Sequence, residues 1–335
     1  MEVFDAKFCA ELRTQLYNRP DWAPPGLAHI ALSEESAPVR QWMGEALDHL
    51  PDPGRSKLAN RLRHEDHFIT AFSELSVAAA IITAGLAPEY EPLLHGKTPD
   101  LYVSDTATGQ PVVIDVWTRQ VPKGTRTTWV AWDELRTRIT RIPVGVGMTV
   151  AALNGSTPAA PTSGDSKRIA AALKDWLLRA VRMPGDSYAV YGLRFRVFRL
   201  LPEMHARLAS PALGGSVDSG VVTDAIRDKV RRYKPIAELL DAHLLVVAAS
   251  EPAAPLSLDL FRGALEGRQS FAFSFNPGSS GVIGESATQM RSSDQPHDFD
   301  PVLSAVAYIE CGDATPALTT IHLEGAQRPM RTILT

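Results

Sequence analysis

Cysteine is scarce: Cys9 and Cys311 are the only two, and they lie at opposite ends of the chain. Two lone thiols build no disulfide framework and suit a reducing compartment. Long apolar runs are missing too, none approaching the roughly 18 residues needed to cross a bilayer. The opening Met1-Glu2-Val3-Phe4-Asp5 is acidic and lacks the basic and apolar regions of a signal peptide. These features together read as a cytoplasmic protein with no membrane association. An excess of positive charge is also wanting, since 34 Lys and Arg face 38 Asp and Glu for a net charge of −4. Any contact with DNA or RNA therefore has to be local. No cofactor fingerprint occurs. Gly214-Gly215-Ser216 and Gly278-Ser279-Ser280-Gly281 satisfy neither the phosphate-loop nor the nucleophile-elbow pattern and read as flexible loops.

What remains is an ordinary globular composition over 335 residues, 44% hydrophobic and 21% charged, enough for one large or two modest domains. Residues 1–60 read as a helical N-terminal extension broken at Pro20 and Pro24-Pro25-Gly26. Asp66 to Ile82 is expected to be a helix. Phe68, Phe72, Leu75, Ala79 and Ile82 follow its period, and Gly85 stops it. A hairpin should follow, with strands at Leu101–Val103 and Val112–Trp117 around a polar turn. Further helices are expected near 133–141, 167–183 and 223–233, and strands near 144–151, 195–200, 244–248, 270–275, 303–309 and 318–323. Residues 276–298 are the most disorder-like, poor in apolar side chains and rich in Gly, Ser and Asp. The expected class is α/β, with a mixed central sheet flanked by helices. Residues 61–255 would form the core, and 256–335 would supply strands and a flexible loop that complete the same domain.

Three carboxylates stand out by position. Glu74 sits mid-helix with Ala71, Val77, Ala78 and Ile81 as its three-, four- and seven-step neighbours, so its charge borders an apolar stripe. Asp100 opens one strand. Asp115 lies in the next strand and shares a face with Val113 and Trp117, where an aspartate needs a partner. A divalent metal is one economical partner, because Mg²⁺ takes one or two carboxylates plus waters and phosphate oxygens. Taken singly, each acid has a bland reading as a salt-bridged helix residue or a turn residue.

The order of these residues resembles the PD-(D/E)xK, or restriction-endonuclease-like, nuclease superfamily. Phe72-Ser73-Glu74-Leu75 with the Ala-rich helix after it is similar to that family's first core helix. Gly96-Lys97-Thr98-Pro99-Asp100 is similar to its Pro-Asp strand, and Pro111 to Val116 to the strand of the second acid. The resemblance implies a hydrolase in which Glu74, Asp100 and Asp115 hold Mg²⁺ or Mn²⁺ and cut phosphodiester bonds of DNA or RNA. It departs at Trp117, where the motif has a lysine whose ammonium would steady the attacking water. Either the cation has moved, with Lys97 or Arg119 nearest and Lys97 favoured, or the site runs different chemistry. The third possibility is that catalysis is lost and the fold binds nucleic acid or a protein. The basic run Arg227, Lys229, Arg231, Arg232 and Lys234 could contact phosphates or be a solvated helix face. His64 and His67 have a spacing that can hold a metal, but no third ligand is evident.

Overall fold

A computed structural model describes the chain except residues 1, 18–25, 105, 107–108, 119–122, 157, 210–212, 218, 251–256, 267–269, 276–281, 289–297, 312–315, 324 and 331–335. Four helices come first: α1 (Ala6–Tyr17), α2 (Gly26–Leu32), α3 (Ala37–His49) and α4 (Gly54–Leu62). Helices α2, α3 and α4 pack against α5 (Glu65–Thr83), whose residues 71–81 are all buried, and α1 packs on α2. Glu65 and Asp66 in the first turn suit the positive end of the helix dipole. The helix ends where the sequence says it should. Gly85 takes φ +80°, its N–H donates to Ile82 O (2.9 Å) and that of Leu86 to Ile81 O (3.2 Å). That pair of bonds is a Schellman stop.

Next come β1 (Glu89–Tyr90), β2 (Leu101–Val103) and β3 (Val112–Thr118), an antiparallel meander. After β3 the chain builds a separate layer: α6 (Lys123–Thr140), β4 (Val146–Ala152), α7 (Ser163–Arg179), β5 (Ser187–Val190), β6 (Leu193–Leu200) and β7 (Arg207–Ala209). The remainder comprises β8 (Leu213–Val217), α8 (Ser219–Leu239), β9 (His243–Ser250), α9 (Leu258–Leu265), β10 (Ser270–Phe275), β11 (Val282–Thr288), β12 (Leu303–Glu310) and β13 (Leu318–His322).

The central sheet runs β1-β2-β3-β9-β12-β13. Strands β3, β9 and β12 are parallel, and the others pair antiparallel. It is a mixed sheet with helices on both faces, so the α/β class holds. Residues alternate between two cores. Ile114, Val116, Leu245 and Val247 pack with α5 and the N-terminal helices, while Val113, Leu244 and Val246 pack with α8 and α9. β9 and β12 are buried along nearly their whole length, as strands covered on both faces must be.

Within the stretch read as one core, β4 to β7 form a second sheet, ordered β5-β6-β4-β7. Its inner face and helices α6 and α7 enclose a third hydrophobic cluster around Trp132, Leu135, Ile169, Leu173, Phe195 and Val197. β8, β10 and β11 make a third sheet. Residues 282–288, expected to be disorder-like, pair with β10 as a strand, since Val282 and Ala287 can join a ladder despite their polar neighbours. Most of that low-apolar segment otherwise lies outside the described residues.

Candidate functional site

The hairpin register sets the geometry. Leu101 pairs with Ile114 and Tyr102 with Val113, so one step further Asp100 stands across from Asp115. Directly opposed residues share a face with Cβ atoms about 5 Å apart. Asp100 Oδ2 accepts a hydrogen bond from the Val116 N–H at 2.7 Å, tying the carboxylate to the neighbouring strand. Asp115 is 1% exposed. Burial first, then the charges of Asp115 and Glu74, push the Asp100 carboxyl up to about 8, against the pull of Lys229 and the Val116 N–H. All three predicted acids therefore lie within one electrostatic neighbourhood.

They are held differently. Glu74 reaches from α5, on the opposite side of the sheet from the Asp115 face, and is fully engaged. Arg61 of α4 grips it with two bonds, Nη1 to Oε2 at 2.6 Å and Nη2 to Oε1 at 3.1 Å. The Tyr90 hydroxyl donates to Oε2 at 2.6 Å. Arg61 also reaches Glu91 Oε1 at 3.1 Å, and Lys57 pairs with Glu91. Burial raises the Glu74 carboxyl while Arg61 and Tyr90 hold it down. Burial and the Glu74 charge push the Tyr90 phenol well above its ordinary value.

The cation beside Asp115 is Lys229, from α8. Its ammonium forms an ion pair with Asp115 Oδ1 and approaches Val116 O at 3.4 Å. The nearby Tyr233 hydroxyl donates to Thr98 O at 2.9 Å, just ahead of Asp100. Burial and the Asp115 charge raise that phenol too. Trp117, two residues beyond Asp115 on the same face, is half-buried against the α8 core. The cation at Asp115 thus comes from α8 and not from the strand itself.

Lys97 is placed elsewhere. It closes a tight turn in which His95 and Gly96 both have positive φ, exchanges backbone bonds with Leu94 and is exposed. No described ion pair joins it to the carboxylates. Arg119 lies outside the described residues. The basic run on α8 is also redistributed. Arg227 pairs with Asp224, Arg231 with Asp228, and Lys234 with Asp300 at 2.7 Å. Arg232 lies over the Tyr233 ring at 5.2 Å. Acids one turn earlier neutralise most of this face, so it presents little free charge to phosphates. His64 and His67 are exposed, with ring centroids 6.3 Å apart.

Sequence reasoning missed Arg61 and Tyr90 and did not connect Lys229 to the acids. One signal for Lys229 was available. The buried stripe of α8 runs Val222, Ile226, Val230, Tyr233 and Ile236, and Lys229 lies three after Ile226 and four before Tyr233. A lysine on an apolar stripe calls for a buried anion.

Among the described residues, no group of three or more His, Cys, Asp or Glu side chains is placed to hold a metal ion. Glu74, with both oxygens taken by Arg61 and Tyr90, does not fit as a ligand in this arrangement. Asp100 and Asp115 do. Oδ2 of Asp115 is buried without a hydrogen-bond partner among the described residues. Two opposed carboxylates also match the hard oxygen set of Mg²⁺ or Mn²⁺, which completes its shell with water. No helix is long and apolar enough to cross a membrane among the described residues. No family model matches the chain, nor does any curated protein or solved structure.

Proposed function

We propose that this chain is a metal-dependent nuclease of the PD-(D/E)xK type, acting on phosphodiester bonds, with its lysine supplied by α8. The observation that carries the reading is the Asp100–Asp115 pair, opposed on one sheet face with the Lys229 ammonium on Asp115. The mixed sheet between helices supports it further, with a helix acid before the hairpin and one acid on each hairpin strand. Asp100 and Asp115 would hold Mg²⁺ or Mn²⁺, which supplies charge neutralisation at the phosphate and an acidified water. Lys229 would orient the attacking water and offset charge on the phosphate, the work Trp117 cannot do. Arg61 and Tyr90 fix Glu74 behind the pair, where its charge favours a cation at Asp100.

A second reading, a nuclease-like module that binds without cutting, draws on the engagement of Glu74 by Arg61 and Tyr90. One assay separates the two. Labelled single- and double-stranded DNA and RNA are incubated with protein and Mn²⁺ or Mg²⁺. The nuclease reading expects cleavage that falls at least about a hundredfold in Asp115→Asn and Lys229→Met, as for loss of a transition-state charge contact. Intact substrates with wild-type protein, or cleavage by either variant as fast as by wild type, would overturn it.

A further inference from the structure

Among the described residues, the sheet formed by β4 to β7 is covered on one face only. Helices α6 and α7 pack on the inner side through the cluster that includes Met148, Val150, Phe195 and Val197. On the outer side Thr149, Ala151, Ser187 and Ala189 are exposed. Along β6 the residues alternate strictly, with Leu193, Phe195 and Val197 buried and Arg194, Arg196 and Phe198 exposed. The registers set small residues beside each arginine. Arg196 lies between Ser187 of β5 and Thr149 of β4, and Arg194 between Ala189 and Ala151. Gly147 lies between Arg199 of β6 and Arg207 of β7. Four arginines therefore share one face, and the Phe198 ring and the Arg199 stem lie over Gly147. Strand spacings place Arg194 and Arg196 about 7 Å apart, and Arg199 and Arg207 about 10 Å apart.

The charge on this face is uncompensated. None of Arg194, Arg196, Arg199 and Arg207 forms a salt bridge among the described residues, and the four strands contain no Asp or Glu. From Val146 to Ala209 nine Lys and Arg meet four Asp and Glu, in a chain whose net charge is −4. A cluster this basic in an acidic protein is the local footprint that polyanion binding requires. The face also carries a ring. Phe198 is 45% exposed, with the Arg199 guanidinium 5.3 Å from its centroid. An exposed aromatic amid arginines finds a partner in an unstacked base, whereas a duplex hides its bases from a flat face.

We propose that the open face of this sheet is a binding platform for single-stranded nucleic acid, phosphates on the four arginines and a base on Phe198. The platform is inserted in the chain between β3, which carries Asp115, and α8, which carries Lys229. It is thus tethered at both ends to the candidate site. The proposal does not depend on catalysis, because binding is read without metal.

The test is fluorescence anisotropy of labelled oligonucleotides, about 20 nucleotides long, with the full chain in a chelator. Oligo-dT, oligo-U and a duplex are compared, with polyglutamate and phosphatidylserine vesicles as competitors. Wild type is expected to bind both single strands more tightly than duplex, with affinity falling steeply in salt. The reversal Arg194→Glu, Arg196→Glu, Arg207→Glu should lower the logarithmic salt slope by about 2, at about 0.7 per phosphate contact. Phe198→Ala should weaken single-strand binding about tenfold at an unchanged slope. Lysines at the same three positions should keep the slope, and circular dichroism of each variant controls for folding. Binding unaltered by the reversal, a preference for duplex, or competition by polyglutamate or vesicles as effective as by unlabelled single strand overturns the proposal. So does wild-type protein that binds no oligonucleotide, whatever the cleavage assay returns.

Discussion

Replacing Lys229 with methionine keeps the aliphatic stem and removes only the ammonium. Asp115, 1% exposed, would then keep a buried carboxylate with no counter-ion and with Asp100 across the hairpin. Removing one partner of a fully buried pair costs about 3–5 kcal/mol. Lys229 is 24% exposed, so water screens part of the pair and the lower end, about 3 kcal/mol, is the reasoned figure. At roughly 2 °C per kcal/mol for a unit this large, the melting temperature should fall by about 6 °C. Asp115→Asn removes the stranded charge, so the double variant should recover most of that loss, and a double-mutant cycle reads the coupling directly. A single variant melting within about 1 °C of wild type, or a double variant no better than the single, would refute the buried pair.

Asp100→Asn tests the raised carboxyl. The folded value near 8 lies above the ordinary 3.8, so the folded state binds a proton the unfolded state has lost. Wild-type stability should decline as pH rises between those values, at up to about 1.4 kcal/mol per unit. Denaturant titrations should show the variant without that decline, and parallel pH profiles for the two proteins would count against it. Tyr90→Phe deletes a buried hydroxyl that donates to Glu74 at 2.6 Å. A hydrogen bond to a charged group is worth about 2 kcal/mol, and a urea midpoint equal to wild type would show the contact to be idle.

How much of this was legible depended on the range of the interactions. Helix α5 and the β2–β3 hairpin were readable because their signals are local. Phe68, Phe72 and Leu75 repeat at helical steps, Gly85 supplies a cheap left-handed stop, and Val112 to Val116 are β-branched apart from Asp115. The short strands β1, β5 and β7 have two to four residues each and no room for a period to declare itself. Helix α6 begins at Lys123, ten residues before the expected start, because packing of Trp132 and Leu135 outweighs the poor propensity of its threonines. Helix α8 runs through Pro235, where the sequence suggested a stop near Tyr233. Its buried Ile236 and Ala237 offset the lost backbone bond. Glu74 and Asp115 were legible as charges set among apolar residues, and Asp100 as the acid that opens the neighbouring strand. Their partners were not, because Arg61, Tyr90 and Lys229 meet them across 13, 16 and 114 residues, respectively, for Glu74, Glu74 and Asp115.

The charge inventory of the site leads to a last consequence. Glu74 is balanced by Arg61 and Asp115 by Lys229, while Asp100 is neutral below about 8. Without metal the cluster therefore sits close to electroneutrality, which is how three carboxylates coexist at such depth. A divalent cation held by Asp100 and Asp115 needs both carboxylates charged, so its binding must expel the Asp100 proton. Apparent affinity for Mn²⁺ should then rise by up to about tenfold for each pH unit below 8, and level off above it. Thermal shift across a Mn²⁺ titration, repeated from about pH 6 to about pH 9, reads this directly through mass action. Calorimetry in two buffers of different ionisation enthalpy counts the released proton independently. Asp100→Asn should abolish both the metal response and its pH dependence. A Mn²⁺ affinity that stays flat below pH 8, or survives in Asp100→Asn, would place any bound metal away from this pair and remove the chemical basis for a nuclease site here.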